Sequence, residues 1–157
     1  MKKILSIKEA IKVAQKIRKQ NKTIVVAGGF FDILHKGHIK FLGNSKKHGD
    51  YLFIFLEEDA KAKKEKGKNR PINSQKNRAK ILSAVKSVDY VILLKNMTNN
   101  ANYDRLIIQI GPCVLATTYG DQNIKHKARQ AKLVNGKVVD VIKRIYSHST
   151  TKLAKYI

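Results

Sequence analysis

Residues 26–38 of this chain read Val26-Ala27-Gly28-Gly29-Phe30-Phe31-Asp32-Ile33-Leu34-His35-Lys36-Gly37-His38, and this stretch decides the fold. It lies between a short apolar run and a helix-like segment at 39–42. This order predicts a strand, a glycine-containing turn and the start of a helix. The backbone N–H groups and partial positive charge of a helix N-terminus suit an anion. His35 and His38 add hydrogen-bond donors for a phosphate chain, and Gly37 lets phosphate approach the backbone closely.

Apolar runs alternate with helical patterns along the rest of the chain. The predicted strands are 23–26, 51–56, 90–94, 114–116 and 138–142, and the predicted helices are 6–19, 36–48, 75–85, 103–110, 124–133 and 150–157. The alternation predicts a single α/β domain over 1–157, with a doubly wound, Rossmann-like parallel sheet and the helix of residues 1–20 packed on it. The lysine-rich stretch 58–69 predicts a mobile loop or a short helix. Ligands of such sheets bind beyond the carboxyl ends of the strands, where 26–38 lies.

The composition fits a globular enzyme. Apolar residues make up 43% of the chain, and no run approaches the roughly 18 apolar residues of a membrane span. Lys8, Lys12 and Lys16 interrupt the apolar residues that follow Met1, so we expect no secretory signal. A single cysteine, Cys113, excludes an internal disulfide and a cysteine-rich zinc site. We therefore expect a cytoplasmic location.

The net charge of +22 raises the question of a nucleic-acid partner. It results from 33 Lys and Arg residues against 11 Asp and Glu, and such a field attracts polyanions. However, the basic residues are spread from Lys2 to Lys155, aromatic residues are only 7%, and there is no Trp for a base-stacking platform. Phosphate-rich small substrates would benefit from the same charge, so it indicates little about function.

The pattern Gly29-x-Phe31-Asp32-x-x-His35-x-Gly37-His38 resembles the signature of the cytidylyltransferase-like nucleotidyltransferases. The alternative interpretation is a buried histidine pair that merely caps the turn. The resemblance implies that a nucleoside triphosphate (NTP) transfers its nucleoside monophosphate to a phosphorylated sugar or alcohol and releases pyrophosphate. The acceptor phosphate then attacks the α-phosphorus without a protein nucleophile, so that catalysis rests on positioning and charge neutralisation.

Two further stretches resemble motifs of the same family. Ser149-Thr150-Thr151, at the start of the last predicted helix, resembles a Ser-Thr-Thr motif and follows Arg144 at the family's spacing. On its own it would be a plain N-cap. Residues 66–73 resemble the lysine-glycine loop and Arg-Pro-x-Asn segment of heptose-phosphate adenylyltransferases, with a solvated basic loop as the alternative. Lys46 is a second lysine candidate, for which its helix position indicates a surface role.

The resemblance implies a role for each candidate residue. His35 and His38 would hold the triphosphate and stabilise the pentavalent transition state, which Lys66 and Arg144 would neutralise. The implied nucleotide-binding residues are Gly29, Phe30, Phe31, Asp32, Gly37, Asp121, Ser149, Thr150 and Thr151, and the implied acceptor-binding residues are Lys95 and Arg78. Mg²⁺ would arrive with the nucleotide, because the sequence shows no carboxylate cluster for a dedicated metal site.

The base and the acceptor stay open between two groups of the family. The starting helix and residues 70–73 favour a heptose-1-phosphate-type adenylyltransferase that uses ATP, which is our first hypothesis. Arg144 and Lys95 favour a CTP-dependent enzyme for glycerol-3-phosphate or a similar alcohol phosphate, and residues 117–121 depart from the Lys-Gly-Gly-Asp-Tyr pattern of the adenylyltransferases. The resemblance also suggests a homodimer.

A hypothesis of another class is a basic nucleic-acid-binding protein on a degenerate nucleotide fold. It predicts tight nucleic-acid binding with a steep salt dependence and no pyrophosphate release. The intact pair His35 and His38 argues against it.

Overall fold

Six parallel strands form one sheet in the computed structural model, which describes residues 1–143 and 150–155. The strands are β1 (Ile4–Ser6), β2 (Ile24–Gly29), β3 (Tyr51–Leu56), β4 (Tyr90–Leu93), β5 (Val114–Tyr119) and β6 (Lys137–Lys143). The helices are α1 (Ile7–Lys19), α2 (Lys36–Lys46), α3 (Asp59–Lys66), α4 (Gln75–Ser83), α5 (Asn100–Ile110), α6 (Ile124–Leu133) and α7 (Thr150–Ala154). Within the described part of the chain, none of the helices has the length and apolar character that crossing a membrane requires.

Helices cover both faces of the sheet. Val26 and Phe53 belong to a buried cluster with residues of α1, α5 and α6. Their strand neighbours Val25 and Ile54 belong to a second cluster with residues of α2 and α4. Successive residues of a strand point to opposite faces, so continuous apolar strands bury both sides of the sheet. This arrangement confirms the predicted doubly wound α/β fold.

In the strand order β1-β4-β3-β2-β5-β6, the direction in which successive strands are added to the sheet reverses beside β2. From β2 the chain proceeds outward through β3 to β4, and it then returns to β5 on the other side of β2. In a sheet of this kind a crevice forms at the carboxyl ends of the strands where the order reverses. The carboxyl ends of β2 and β5 therefore frame the expected ligand site.

Two features of the strands differ from the prediction. β1 is not among the predicted strands, because three residues are too few to show a period of two, yet Ile4 pairs with Val91 in β4. Gly28 and Gly29 extend β2 instead of starting the turn, since they pair in register along β3 as far as Leu56.

Two helices are better defined than the sequence indicates. Residues 59–66 form α3, the short helix of the two predicted alternatives, and Ala62 anchors the helix by its burial. α5 begins at Asn100, before the predicted start at 103, because Asn99 and Asn102 form a reciprocal capping box.

Candidate functional site

A cleft of about 320 Å³ opens at the carboxyl ends of β2 and β5. This volume lies within the range of small-ligand pockets. The turn after β2 and the start of α2 line it, together with the end of β5, Asp121 and Lys127 of α6. Lys66, Arg70, the end of β6 and Thr151 complete the wall. The cleft therefore occupies the position that the strand order predicts.

The two histidines of the 26–38 stretch lie together at the start of α2. His35 is the N-cap residue, and its Nδ1 accepts a hydrogen bond of 3.1 Å from the backbone N–H of Gly37. Because Nδ1 is the acceptor, the ring proton of His35 is assigned to Nε2. The rings of His35 and His38 stack with their centroids 3.9 Å apart. The cap thus fixes the tautomer of one histidine, and stacking fixes the orientation of the pair.

His38 is neutral at physiological pH in this structure. Burial, together with the nearby His35 ring, lowers the pKa of His38 to about 4, and an interaction with the Ile33 backbone offsets only part of this effect. The Nδ1 atom of His38 is buried and makes no hydrogen bond to any of the described residues. A neutral, half-buried imidazole can still donate one hydrogen bond to a phosphate oxygen.

The turn before α2 has an unusual backbone. Phe31 has a φ of 48°, in the left-handed region that a bulky side chain rarely adopts. Its buried ring lies 5.4 Å from the His38 ring, and a Cβ on Gly29 would come within 3.1 Å of the ring edge. Gly29 therefore leaves room for Phe31, and Phe31 packs against the catalytic candidate His38. Strained residues of this kind cluster at functional sites.

Asp32 connects the turn to the segment that follows α3. Its carboxylate accepts hydrogen bonds from the backbone N–H groups of Ile72 and Asn73, at 2.8 Å each, and from Nε of Arg70 at 2.9 Å. The Asn73 amide in turn donates to the Asp32 carbonyl. Burial alone would raise the pKa of Asp32, but these hydrogen bonds outweigh it and hold the pKa below its ordinary value. Asp32 thus joins the turn to the segment at residues 70–73.

Arg78 lies outside the cleft, in contrast to its predicted role in acceptor binding. Its side chain is fully buried. Its guanidinium donates to the carbonyls of Phe30 (2.6 Å) and Asn73 (3.0 Å) and to a carboxylate oxygen of Asp59 (2.6 Å). A buried guanidinium with these three partners offers no face to an acceptor, and it instead ties the turn, the start of α3 and residue 73 together.

Lys66 reaches the cleft from the last turn of α3. Its ammonium lies 5.7 Å from the centroid of the Phe30 ring, within range of a cation–π contact. The helix ends at Gly67, whose φ of 115° is strained for residues with a Cβ. At the other end of α3, Asp59 is held by Arg78 and by the Gln75 N–H. Lys66 is therefore carried by a helix that is anchored at its start.

Asp121 lines the same cleft just after β5, and its carboxylate is already bonded. It accepts hydrogen bonds from the Thr117 hydroxyl (2.6 Å) and the Asn123 N–H (2.8 Å), and it forms an ion pair with Lys127. Burial alone would raise the pKa of Asp121, but the hydrogen bonds from Lys127, Thr117 and Asn123 have the larger effect, so the pKa lies below its ordinary value.

The structure brings most of the predicted site residues to one cleft. These residues are His35, His38, Lys66, Gly29, Phe30, Phe31, Asp32, Gly37, Asp121 and Thr151. Arg144 and Ser149 lie outside the described residues, as does the side chain of Thr150. Lys95 follows β4 as an exposed residue and is not among those that line the cleft. Lys46, the second lysine candidate, does not line the cleft and forms an ion pair of 2.6 Å with Asp89.

Several cleft residues are not among the predicted site residues, namely Gly28, Phe41, Arg70, Thr117, Thr118, Lys127, Ile142 and Lys143. Arg70 belongs to the quoted Arg-Pro-x-Asn segment, which was the available signal. No sequence signal marked Lys127, because the sequence of a lysine-rich helix does not show which lysine faces solvent and which faces a cleft. In the described part of the chain, no group of three or more His, Cys, Asp or Glu side chains could hold a metal ion.

Comparisons with known proteins agree on the fold and the family. A family model described as cytidylyltransferase-like matches residues 26–155. The bifunctional protein HldE of Aliarcobacter butzleri is 40% identical over 151 residues, which are 90% of this chain and 31% of that protein. HldE of Cronobacter sakazakii is 35% identical over 97% of this chain and 30% of its own length. The chain thus spans about a third of the length of these curated relatives.

Solved structures give the same result. A lipopolysaccharide core biosynthesis protein from Thermoplasma volcanium superposes with a TM-score of 0.66 at 29% identity, over 79% of this chain and 99% of the other. A pantoate-beta-alanine ligase from Francisella tularensis superposes with a TM-score of 0.67 over 99% of this chain and 73% of its own. At 16% identity, this second likeness concerns the fold alone.

Proposed function

Because the chain belongs to the cytidylyltransferase-like family, we propose that it is a nucleotidyltransferase, most closely of the heptose-1-phosphate adenylyltransferase type. It would transfer AMP from ATP to a sugar phosphate and release pyrophosphate. The observation that carries the proposal is the stacked pair His35 and His38 at the start of α2, in a cleft at the point where the strand order reverses. The likeness to HldE proteins and to a lipopolysaccharide core biosynthesis protein supports a sugar phosphate as the acceptor.

In the proposed reaction an oxygen of the acceptor phosphate attacks the α-phosphorus in line. The bond between the α-phosphorus and the bridging oxygen breaks, and its electron pair leaves with pyrophosphate. No protein nucleophile is needed, so the chain's contribution is to position the phosphates and to stabilise the charge that develops on the α-phosphate. His35 and His38 would do so as hydrogen-bond donors from the start of α2, and Lys66 would do so as a cation at the end of α3.

The remaining phosphate contacts are assigned to the segment before α7. Ser149, Thr150 and Thr151 would hold the β- and γ-phosphates, and Arg144 would neutralise the transition state. Of these four residues, Thr151 lines the cleft, which supports the assignment.

Mg²⁺ would be held mainly by the nucleotide. The two carboxylates among the described residues of the cleft, Asp32 and Asp121, are already bonded to Arg70 and Lys127. This donor set fits a hydrated cation that binds through phosphate oxygens and water. Such a cation would supply further charge neutralisation. The homodimer and the cytoplasmic location stay predictions.

A CTP-dependent enzyme for an alcohol phosphate is the second candidate. Its support is the end of β5, where Thr118 and Tyr119 stand in place of the lysine and the first glycine of the adenylyltransferase pattern when Asp121 is matched to its aspartate. The two candidates share the chemistry at the α-phosphate and differ only in the base and the acceptor.

A pyrophosphate-release assay tests the proposal. ATP, CTP, GTP and UTP are each combined with heptose-1-phosphate, glycerol-3-phosphate and related phosphorylated acceptors. We expect release with one pair, ATP and a sugar phosphate first. His38→Ala should lower kcat about 100-fold or more, as the loss of a transition-state hydrogen bond does. The matched control is His48→Ala, an exposed histidine just beyond α2, which should leave kcat unchanged.

Two results would overturn the proposal. One is the absence of pyrophosphate release with every pair, together with tight nucleic-acid binding that weakens steeply with salt. The other is full turnover by the His38→Ala variant.

A further inference from the structure

The carboxylates of the cleft are each matched by a cation. Among the described residues that line it, the acidic side chains are Asp32 and Asp121, and each is bonded to a basic side chain that lines it too. Asp32 pairs with Arg70, and the same carboxylate also orders the backbone at Ile72. Asp121 pairs with Lys127, which comes from α6. The first pair is explained by the fold of the loop, whereas the second has no role assigned so far.

The Lys127 ammonium has a defined position. It contacts the Asp121 carboxylate and lies 3.2 Å from the hydroxyl of Thr117, which is itself buried and donates to the same carboxylate oxygen. The side chain of Lys127 is about three-quarters buried, at 26% exposure. The ammonium is thus fixed against the end of β5 instead of extending into solvent.

The electrostatic consequence follows from the position of the pair. Asp121 and Lys127 line the cleft, so a ligand that occupies it lies against them, well inside the Debye length of roughly 8 Å at physiological ionic strength. A charge on its wall is therefore felt by any ligand inside. An unpaired Asp121 carboxylate would repel a polyphosphate there, and the neutralised pair does not.

We propose that Lys127 is a positioning residue for the nucleotide, which neutralises Asp121 and so admits the phosphate chain to the β5 side of the cleft. This inference rests on the proposed function. It gives a physical reason for a departure noted above. The adenylyltransferase pattern carries a lysine three residues before its aspartate, whereas this chain has Thr118 there and supplies the cation from α6.

The test is a double-mutant cycle on binding. Dissociation constants of MgATP, MgCTP and inorganic tripolyphosphate, which lacks a ribose, are measured by calorimetry for the wild type, Lys127→Met, Asp121→Asn and the double variant. Lys127→Met should weaken tripolyphosphate and nucleotide binding about tenfold or more, because it leaves a carboxylate unpaired beside the ligand. Asp121→Asn should bind tripolyphosphate at least as tightly as the wild type. The double variant should return to within about threefold of the wild type for tripolyphosphate.

Lys132→Met is the matched control. It removes the same charge from α6 at an exposed position that does not line the cleft, and it should leave the dissociation constants unchanged. Thermal unfolding confirms that each variant is folded.

Each other outcome has a definite meaning. If Lys127→Met binds like the wild type, this inference is wrong and the proposed function stands. If the double variant binds tripolyphosphate as weakly as Lys127→Met, Lys127 contacts the ligand directly and the neutralising role is wrong. If the wild type binds neither MgATP nor MgCTP, the proposed function fails, and this inference fails with it.

Discussion

Replacing Arg78 by lysine should destabilise the fold strongly while conserving the charge. The guanidinium spans three partners, the carbonyls of Phe30 and Asn73 and the carboxylate of Asp59. A lysine has one nitrogen, and it cannot reach these three groups from a single position. Two of the partners would be left without their hydrogen bond inside a fully buried site.

The size of the effect follows from these contacts. A buried carbonyl that loses its donor costs about 1–3 kcal/mol, and disruption of a buried ion pair costs about 3–5 kcal/mol in all. Because Asp59 is half exposed, water can solvate part of its carboxylate, so we expect a loss of about 3–4 kcal/mol. In a protein of this size, that loss corresponds to a Tm lower by roughly 6–16 °C.

Arg129→Lys provides the matched control. Arg129 forms two hydrogen bonds with Asp104 on the surface, and exposed pairs of this kind contribute about 1 kcal/mol or less. Both variants are unfolded in urea and followed by circular dichroism. If Arg78→Lys unfolds within 1 kcal/mol of Arg129→Lys, the partners of Arg78 do not hold the turn, α3 and residue 73 together as described, and the reasoning is refuted.

Two further predictions concern the turn itself. Since the pKa of His38 falls from 6.5 to about 4 on folding, the unfolded chain binds more protons between these values, and stability should decrease as the pH falls from about 7 to 4. The free energy of unfolding should fall by about 3 kcal/mol over this pH range. In urea unfolding, His38→Asn should lose about 3 kcal/mol less than the wild type over the same range. An equal loss in both proteins would contradict this prediction. Asp32→Asn leaves one acceptor oxygen for three donors, so it should destabilise by about 2–4 kcal/mol and speed hydrogen exchange at Ile72 and Asn73. The control Asp104→Asn, at a partly exposed carboxylate that bonds only side chains of α6, should leave that exchange unchanged. Unchanged exchange at those two amides would show that Asp32 does not order the segment.

The fold was predictable because its signal is repetitive. Apolar strands that bury both faces alternate with amphipathic helices, and this pattern specifies a doubly wound sheet without knowledge of any single contact. The exceptions are short or dependent on distant partners. β1 has three residues and is a strand only because β4 lies beside it, and α3 is fixed by contacts with Glu57 and Tyr103 more than by its own periodicity.

The candidate site was predictable where it is contiguous in sequence. Residues 29–38 run from the last residue of β2 through one turn into the start of α2, so their order alone places them together. The basic residues that reach this region from elsewhere in the chain were not predictable. In a lysine- and arginine-rich helix, the sequence does not show which basic side chain is buried and which is exposed. The sequence predicts that Arg78 binds the acceptor, whereas its burial makes it structural. Lys127 looks like one more surface lysine, and the turn of α6 places it in the cleft.

The position of β1 constrains the order in which the chain acquires its structure during synthesis. Ile4 leaves the ribosome before its partner Val91, which follows only after α1 to α4 have been made. At about 5–20 residues per second, β1 waits roughly 4–17 s for β4. During that interval β2 and β3, which are close in sequence, can already pair. A strand of three residues is a poor template for other chains, so the shortness of β1 protects the nascent protein while its edge stands open.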